Sequence, residues 1–249
     1  MDIALFNIVD GRSPRRACTH PGPIEVEARN KNMWSSRDVS YGGLRKRYRE
    51  FHGGVLRCMD PLRAIPVEFA TELKYENWIL HWADPFIRVI EPRCPWIECT
   101  HNEQRIRVRP DLAITRERTE LQLVLSRRTV NAERRISALI AVAQAHDYDW
   151  SIRTRDDVRH CPVQLMNLKR LRQCAVLLAD RMNVSDLALV STLLPRAQVL
   201  TRREIAGCVP SRFAADLLDT LLIHLHWRGR VTIDLTGGVY GDRTNVQCR

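Results

Sequence analysis

Nowhere in its 249 residues does this sequence gather the ~18 apolar residues that a membrane-spanning helix requires. Its opening, MDIALFNIVDGRSPRR, has no long apolar run behind a basic head, so no secretory leader is expected there. Both absences predict a soluble, cytoplasmic protein with no membrane partner. The eight cysteines (18, 58, 94, 99, 161, 174, 208 and 248) lack framework spacing, and a chain of this length needs no covalent staples, so reduced thiols are expected. Cys94, Cys99 and His101, in CPWIECTH, offer three metal donors, but no second ligand pair follows at zinc-site spacing. Acids are scarce relative to bases: Asp+Glu 29 against Lys+Arg 39 gives a formal net charge of +10. Because counterions condensed on nucleic acid are released when a basic surface binds, DNA or RNA is the first partner this balance points to.

The length predicts one domain plus a smaller second one. Residues 1–40, rich in Pro, Gly, Arg and Asn, read as an irregular arm that orders only against a partner or DNA. From LRKRYREF the chain turns basic, with Arg45, Lys46 and Arg47 as candidate DNA contacts, and it reads as broken until about Val67. In EFATELKYENWILHWADP, Leu73, Glu76, Ile79 and Leu80 recur at helical spacing, and Asp84-Pro85 ends the helix. FIRVIEP, RIRVRPDLAIT and TELQLVLS read as strands, the last two joined by the turn RERT. AERRISALIAVAQAHD has one apolar face (Ile136, Leu139, Ile140, Ala143), and YDWSIRT closes the sheet. The expectation is an α/β domain over residues 41–160.

A second domain, residues 161–249, opens with the helical block PVQLMNLKRLRQCAVLLADRM. A short helix (TRREIAGC) and a turn at Pro210 follow. Next come a longer helix with Ser211 as candidate cap (Phe213, Leu217, Leu218, Leu221, Leu225) and a strand–Gly–Gly–strand hairpin. This is a winged-helix pattern. Arg212 near the start of its second helix is a candidate DNA contact, whereas Asp216 and Asp219 would repel DNA, so DNA binding and protein docking both stand as readings of this element.

Hydrolysing a phosphodiester at neutral pH calls for a divalent ion such as Mg²⁺ or Mn²⁺, held by a few carboxylate or carbonyl oxygens. Glu76 on the first helix, Asp111 after Pro110 and Gln122 on the following strand are candidates for that cage. Strand alternation puts Glu120, Gln122 and Val124 on one face and Leu121, Leu123 and Leu125 on the other. The plain alternative is a solvated Glu76, an ordinary Pro-Asp turn and a polar strand face that meets water.

Taken in order, Glu76-NWILHWA-Asp84-Pro85, Ile90-Glu91-Pro92, Arg109-Pro110-Asp111-Leu112, Gln122-Leu123-Val124, WSIRTRDDVR and NLKRL resemble the TnsA-type endonuclease subunits of bacterial heteromeric transposases. The resemblance covers roughly residues 50 to 245. It implies a restriction-endonuclease-like fold of the PD-(D/E)xK kind, with Glu76, Asp111 and Gln122 as catalytic, metal-binding residues. It also implies Mg²⁺-dependent hydrolysis at the 5′ strands of transposon-end DNA, a partner DDE-type transposase, and an ATPase regulator. Glu91 departs from the family, which tends to have glutamine before that proline.

The larger departure is Val124, which stands where the resemblance puts a lysine. Losing one preorganised cation of that kind costs on the order of 3 kcal/mol of transition-state stabilisation. Arg107, Arg109, Arg127 or Arg128, which are also candidate DNA contacts, would have to replace its charge, though always-protonated arginine cannot act as a base. A register shifted by two would instead make Glu120 the acid. Lys74 reads as a poor substitute, because two residues along a helix point it away from Glu76. The resemblance therefore implies a DNA-binding transposition protein with weakened or lost cleavage. The alternative reading is a non-catalytic adaptor that docks a transposase or ATPase.

Overall fold

Strand alternation starts earlier than the charge-rich sequence suggests. A computed structural model describes residues 51–52, 55–101, 103–127 and 129–249. In it, β1 (Phe51–His52), β2 (Val55–Asp60) and β3 (Ile65–Phe69) form an antiparallel sheet in that order. Leu56, Cys58 and Asp60 of β2 and Val67 and Phe69 of β3 are buried with a period of two. The segment read as broken up to Val67 is thus a hairpin. Its turn is held by buried Asp60, whose Oδ1 accepts from the Leu62 N–H at 3.0 Å and from the Trp82 indole N–H at 2.9 Å. Pro66 is tolerated because β3 is an edge strand. The expected arm, residues 1–40, and the candidate contacts Arg45, Lys46, Arg47 and Arg128 lie outside the described residues.

Helix α1 (Glu72–Trp82) starts where the Thr71 side chain accepts from the Lys74 N–H. Seven of its side chains are buried, among them Glu76, Asn77, Trp78 and Ile79. A helix that buries polar and apolar side chains alike must be covered on several sides. Strands β4 (Val89–Glu91), β5 (Ile97–His101), β6 (Gln104–Val108), β7 (Leu112–Thr115) and β8 (Thr119–Leu125) follow, then helix α2 (Val130–His146) and β9 (Asp149–Thr154). The run RIRVRPDLAIT, read as one strand, divides at Arg109–Asp111. β6 pairs only with β5, whereas β7 joins a second sheet, because Pro110 has no N–H to continue a ladder.

That sheet has the order β4-β7-β8-β9: antiparallel, antiparallel, then parallel. The parallel pair needs a crossover, and α2 supplies it. Leu121 and Leu123 of β8 pack with Leu139 and Val142 of α2 on one face. The other face of β8 turns to α1, where Val124 meets Leu73.

After α3 (Arg155–Val158) come α4 (Pro162–Leu177), α5 (Val184–Leu193), β10 (Val199–Thr201), α6 (Arg202–Cys208), α7 (Ala215–Trp227), β11 (Val231–Ile233) and β12 (Asn245–Cys248). The last three-stranded sheet is antiparallel in the order β10-β12-β11. Ser211, expected to cap the longer helix, does not. Residues 211–213 form a turn in which the Phe213 N–H donates to Pro210 O, Phe213 is buried, and α7 begins four residues after Ser211 with Ala214 at its cap. Trp78 and Ile79 of α1 share one apolar cluster with Leu168 and Leu171 of α4, Leu221 and Leu222 of α7 and Val246 of β12. The boundary expected between residues 160 and 161 therefore falls inside a continuous core, within a mixed α/β structure of small sheets and several helices.

Candidate functional site

Asp111 sits just before β7, its N–H donating to the Gln122 carbonyl at 2.8 Å. Its carboxylate is enclosed by donors. Oδ2 accepts from the Val124 N–H at 2.9 Å, Arg135 Nη2 of α2 lies 3.2 Å from both oxygens, and Lys74 Nζ of α1 lies 2.7 Å from Oδ1. Lys74 does point away from Glu76, as its spacing demands, but that direction carries it to the other acid.

Glu76 is 3% exposed, so it is not a solvated helix residue. Oε2 accepts from Arg159 Nε at 2.7 Å, and Oε1 lies 2.6 Å from Lys169 Nζ of α4. Burial pushes the Glu76 carboxyl up, but the hydrogen bonds and charges of Arg159 and Lys169 together outweigh it and hold the group below its ordinary range.

Gln122, 1% exposed, belongs to a third set of contacts. Its Oε1 accepts from Asn77 Nδ2 of α1 at 2.8 Å, and its Nε2 donates to Glu120 Oε1 at 2.9 Å. Glu120 also accepts from Ser151 Oγ at 2.6 Å, and Arg153 Nε donates to Asn77 Oδ1 at 3.3 Å. His81 stands 3.4 Å from Gln122, its ring held neutral because burial, only partly opposed by Glu120, lowers its pKa to about 4. Gln122 on the polar face of β8 thus meets a buried network, while Glu120 beside it stays part-exposed.

The three residues expected to share a metal thus each have their own partners, and all four oxygens of Glu76 and Asp111 accept from protein donors. Two acids face four cations: Lys74 and Arg135 at one, Arg159 and Lys169 at the other. A divalent ion entering here would meet a local excess of positive charge, so this arrangement does not fit a Mg²⁺ or Mn²⁺ cage. Val124, 5% exposed, packs with Leu73 and Val158, so the position where the resemblance implies a lysine is filled by apolar contacts.

Of the expected DNA contacts, Arg107 lies on β6 and Arg109 just beyond it, with Arg109 Nε donating to Cys94 O at 3.0 Å. Both line a groove of about 1090 Å³ that also contains Asp111 and Lys74. Arg127, after β8, is exposed. Arg212 is tied to Asp186 at 2.9 Å, and Asp219, expected to repel DNA, is instead buried against Arg202 Nε at 2.6 Å. The three donors of CPWIECTH do not act together: Cys94 is buried, donates to Glu91 O, and has its thiol pushed up to about 12 by burial. Among the described residues, Cys174, Asp216 and Asp219 do bring three donor atoms within 4.8 Å of one another, a cluster with no sequence signal because α4 and α7 are far apart in the chain.

Sequence reasoning weighed Lys74 only against Glu76 and missed its reach to Asp111, and it missed Arg135, Arg159 and Lys169 as partners of the two acids. These three had a signal only in being basic residues on α2, just after α3 and on α4. No protein-family model and no curated protein matches the chain.

Proposed function

We propose that this chain is a TnsA-like DNA transposition protein that binds transposon-end DNA beside a partner DDE-type transposase, with its nuclease-like site retained as a charged scaffold and not as a metal-dependent hydrolase. The observation that carries this reading is the succession α1, β4, β7, β8, α2, β9, with Asp111 just before β7 and its N–H donating to the Gln122 carbonyl on β8. That succession supports reading the sheet and its helices as a restriction-endonuclease-like core, and the α5-to-β12 segment, with its β10-β12-β11 sheet, supports a winged-helix reading. The two saturated acids and the apolar plug at Val124 support loss of cleavage, while the excess of cations around them favours phosphate.

A nicking assay on DNA bearing the element's end, with Mg²⁺ or Mn²⁺ and with or without the transposase, tests the reading. The expected result is specific end binding with no cleavage, and an element that leaves its 5′ strands attached. The 2.7 Å approach of Lys74 to Asp111 favours a second reading, in which the helix supplies the lysine that the strand lacks. Metal-dependent nicking abolished by both Lys74→Ala and Asp111→Ala would establish that enzyme and overturn the scaffold.

A further inference from the structure

The groove beside Asp111 has chemistry beyond general attraction to DNA. Six cations line it: Lys74, Arg93, Arg107, Arg109, Arg134 and Arg135, against two acids, Glu68 and Asp111. Arg93 is paired with Glu68, and Lys74 and Arg135 with Asp111. Arg107, Arg109 and Arg134 have no carboxylate partner among the described residues, and all three are exposed. Three guanidiniums without a carboxylate partner among the described residues suit a phosphate backbone along this groove, where each contact releases counterions.

The same groove holds Trp96, which is 55% exposed. An indole left this open on a basic wall gives up the burial that normally places tryptophan inside. The Arg107 guanidinium lies over its ring at 5.0 Å from the centroid, which fixes the indole and adds positive charge behind it. A base inside a duplex has both faces covered by its neighbours, so a protein aromatic stacks most readily on a base that has left the helix.

We infer that this groove binds an unpaired DNA strand, with a base stacked on Trp96 and the flanking phosphates held by Arg107, Arg109 and Arg134. The inference rests on the DNA-binding reading above and specifies its substrate: an end whose strand is frayed or already displaced, not a closed duplex. The backbone would run toward Lys74 and Arg135, which already hold Asp111.

The test is fluorescence anisotropy of the full chain on two labelled DNAs carrying the same end, one blunt and one with an unpaired tail of about four nucleotides, since one stacked base is worth a several-fold to hundredfold change in affinity. The tailed DNA is expected to bind at least about tenfold tighter. Trp96→Ala should erase that ratio and leave blunt-end affinity within about twofold, whereas Trp96→Phe should keep most of it. Arg134→Ala should weaken both DNAs and lower the salt slope by about one. Equal binding of the two DNAs by the unaltered protein, or a ratio untouched by Trp96→Ala, overturns the inference and leaves the DNA-binding reading standing. Binding of neither DNA, or binding of polyglutamate as tight as that of tailed DNA, overturns both. The thermal midpoint of each variant reports folding, and an exposed side chain such as Trp96 is expected to leave it unchanged.

Discussion

Lys74 on α1 and Asp111 before β7 form an ion pair, Nζ to Oδ1 2.7 Å, that spans the helix–sheet interface at the point where the resemblance implies a metal. Two steps along a helix rotate a side chain by about 200°, so Lys74 and Glu76 leave opposite sides of α1 and each finds a different partner. The two acids are thereby compensated independently.

Unloading Asp111 should create a metal-binding site. In about 5 mM Mn²⁺ the unaltered protein should show no change in Tm, while Lys74→Ala combined with Arg135→Ala should gain about 1 kcal/mol, or roughly 2–4 °C. Stabilisation of the unaltered protein by Mn²⁺ to the same extent would show that the cations yield readily to metal.

Restoring the lysine of the resembled family should not restore a nuclease. Val124 is buried against Leu73 and Val158, so Val124→Lys places an ammonium among apolar groups and should destabilise the fold by about 3 kcal/mol. Urea unfolding gives the loss directly. A variant as stable as the parent that also nicks DNA would mean the apolar plug gives way.

The segment after residue 195 depends on a buried pair. Arg202 on α6 donates to Asp219 on α7 at 2.6 Å, and the Tyr240 hydroxyl donates to the same oxygen at 2.9 Å. Asp219→Ala would leave Arg202 with only the exposed Asp242 carboxylate, 2.8 Å from its Nη1, and a loss near the lower end of about 3–5 kcal/mol is expected. A change below about 1 kcal/mol would place the network at the surface in solution.

Acid should destabilise the protein well above the carboxylate range. Burial lowers the pKa of both His81 and His224 to about 4 from the ordinary 6.5, with Arg228 adding to the effect at His224. The unfolded chain then binds protons more readily than the folded one. This stability is complete above the unfolded value and is lost as pH falls from 6.5 through about 4. Glu76, also depressed, adds a loss at lower pH for the same reason of sign. Urea midpoints should fall across this window, and His224→Gln should flatten the fall. A midpoint independent of pH down to about 4.5 would remove the argument.

Apolar spacing made α1 and α2 legible, and short apolar runs made β8 and β9 legible, although α1 and β8 are buried on more than one side and β9 only in part. That reading failed in β2–β3, where Arg57, Asp60 and Arg63 interrupt the apolar pattern. Asp60 is charged and still fully buried, satisfied by Trp82 from 22 residues away and by Arg63. It failed again at Pro110, where one apolar-basic run serves two sheets. The positions of Asp111 and Gln122 on adjacent strands were readable from the turn between them. Their partners were not, since Glu76 meets cations 83 and 93 residues further along the chain.

What the sequence determined by itself is local and additive: the basic excess, the succession of helices and strands, the absence of a lysine at 124, and the faces on which Glu120, Gln122 and Val124 lie. Only the tertiary structure decided what those faces meet. It turned Lys74 and Arg135 onto Asp111, brought Arg159 and Lys169 to Glu76, and closed Leu73 and Val158 over Val124. The physical reason is that burying a carboxylate requires a compensating charge within a few ångströms. Which cation supplies it depends on how distant helices pack, and no spacing within one segment records that.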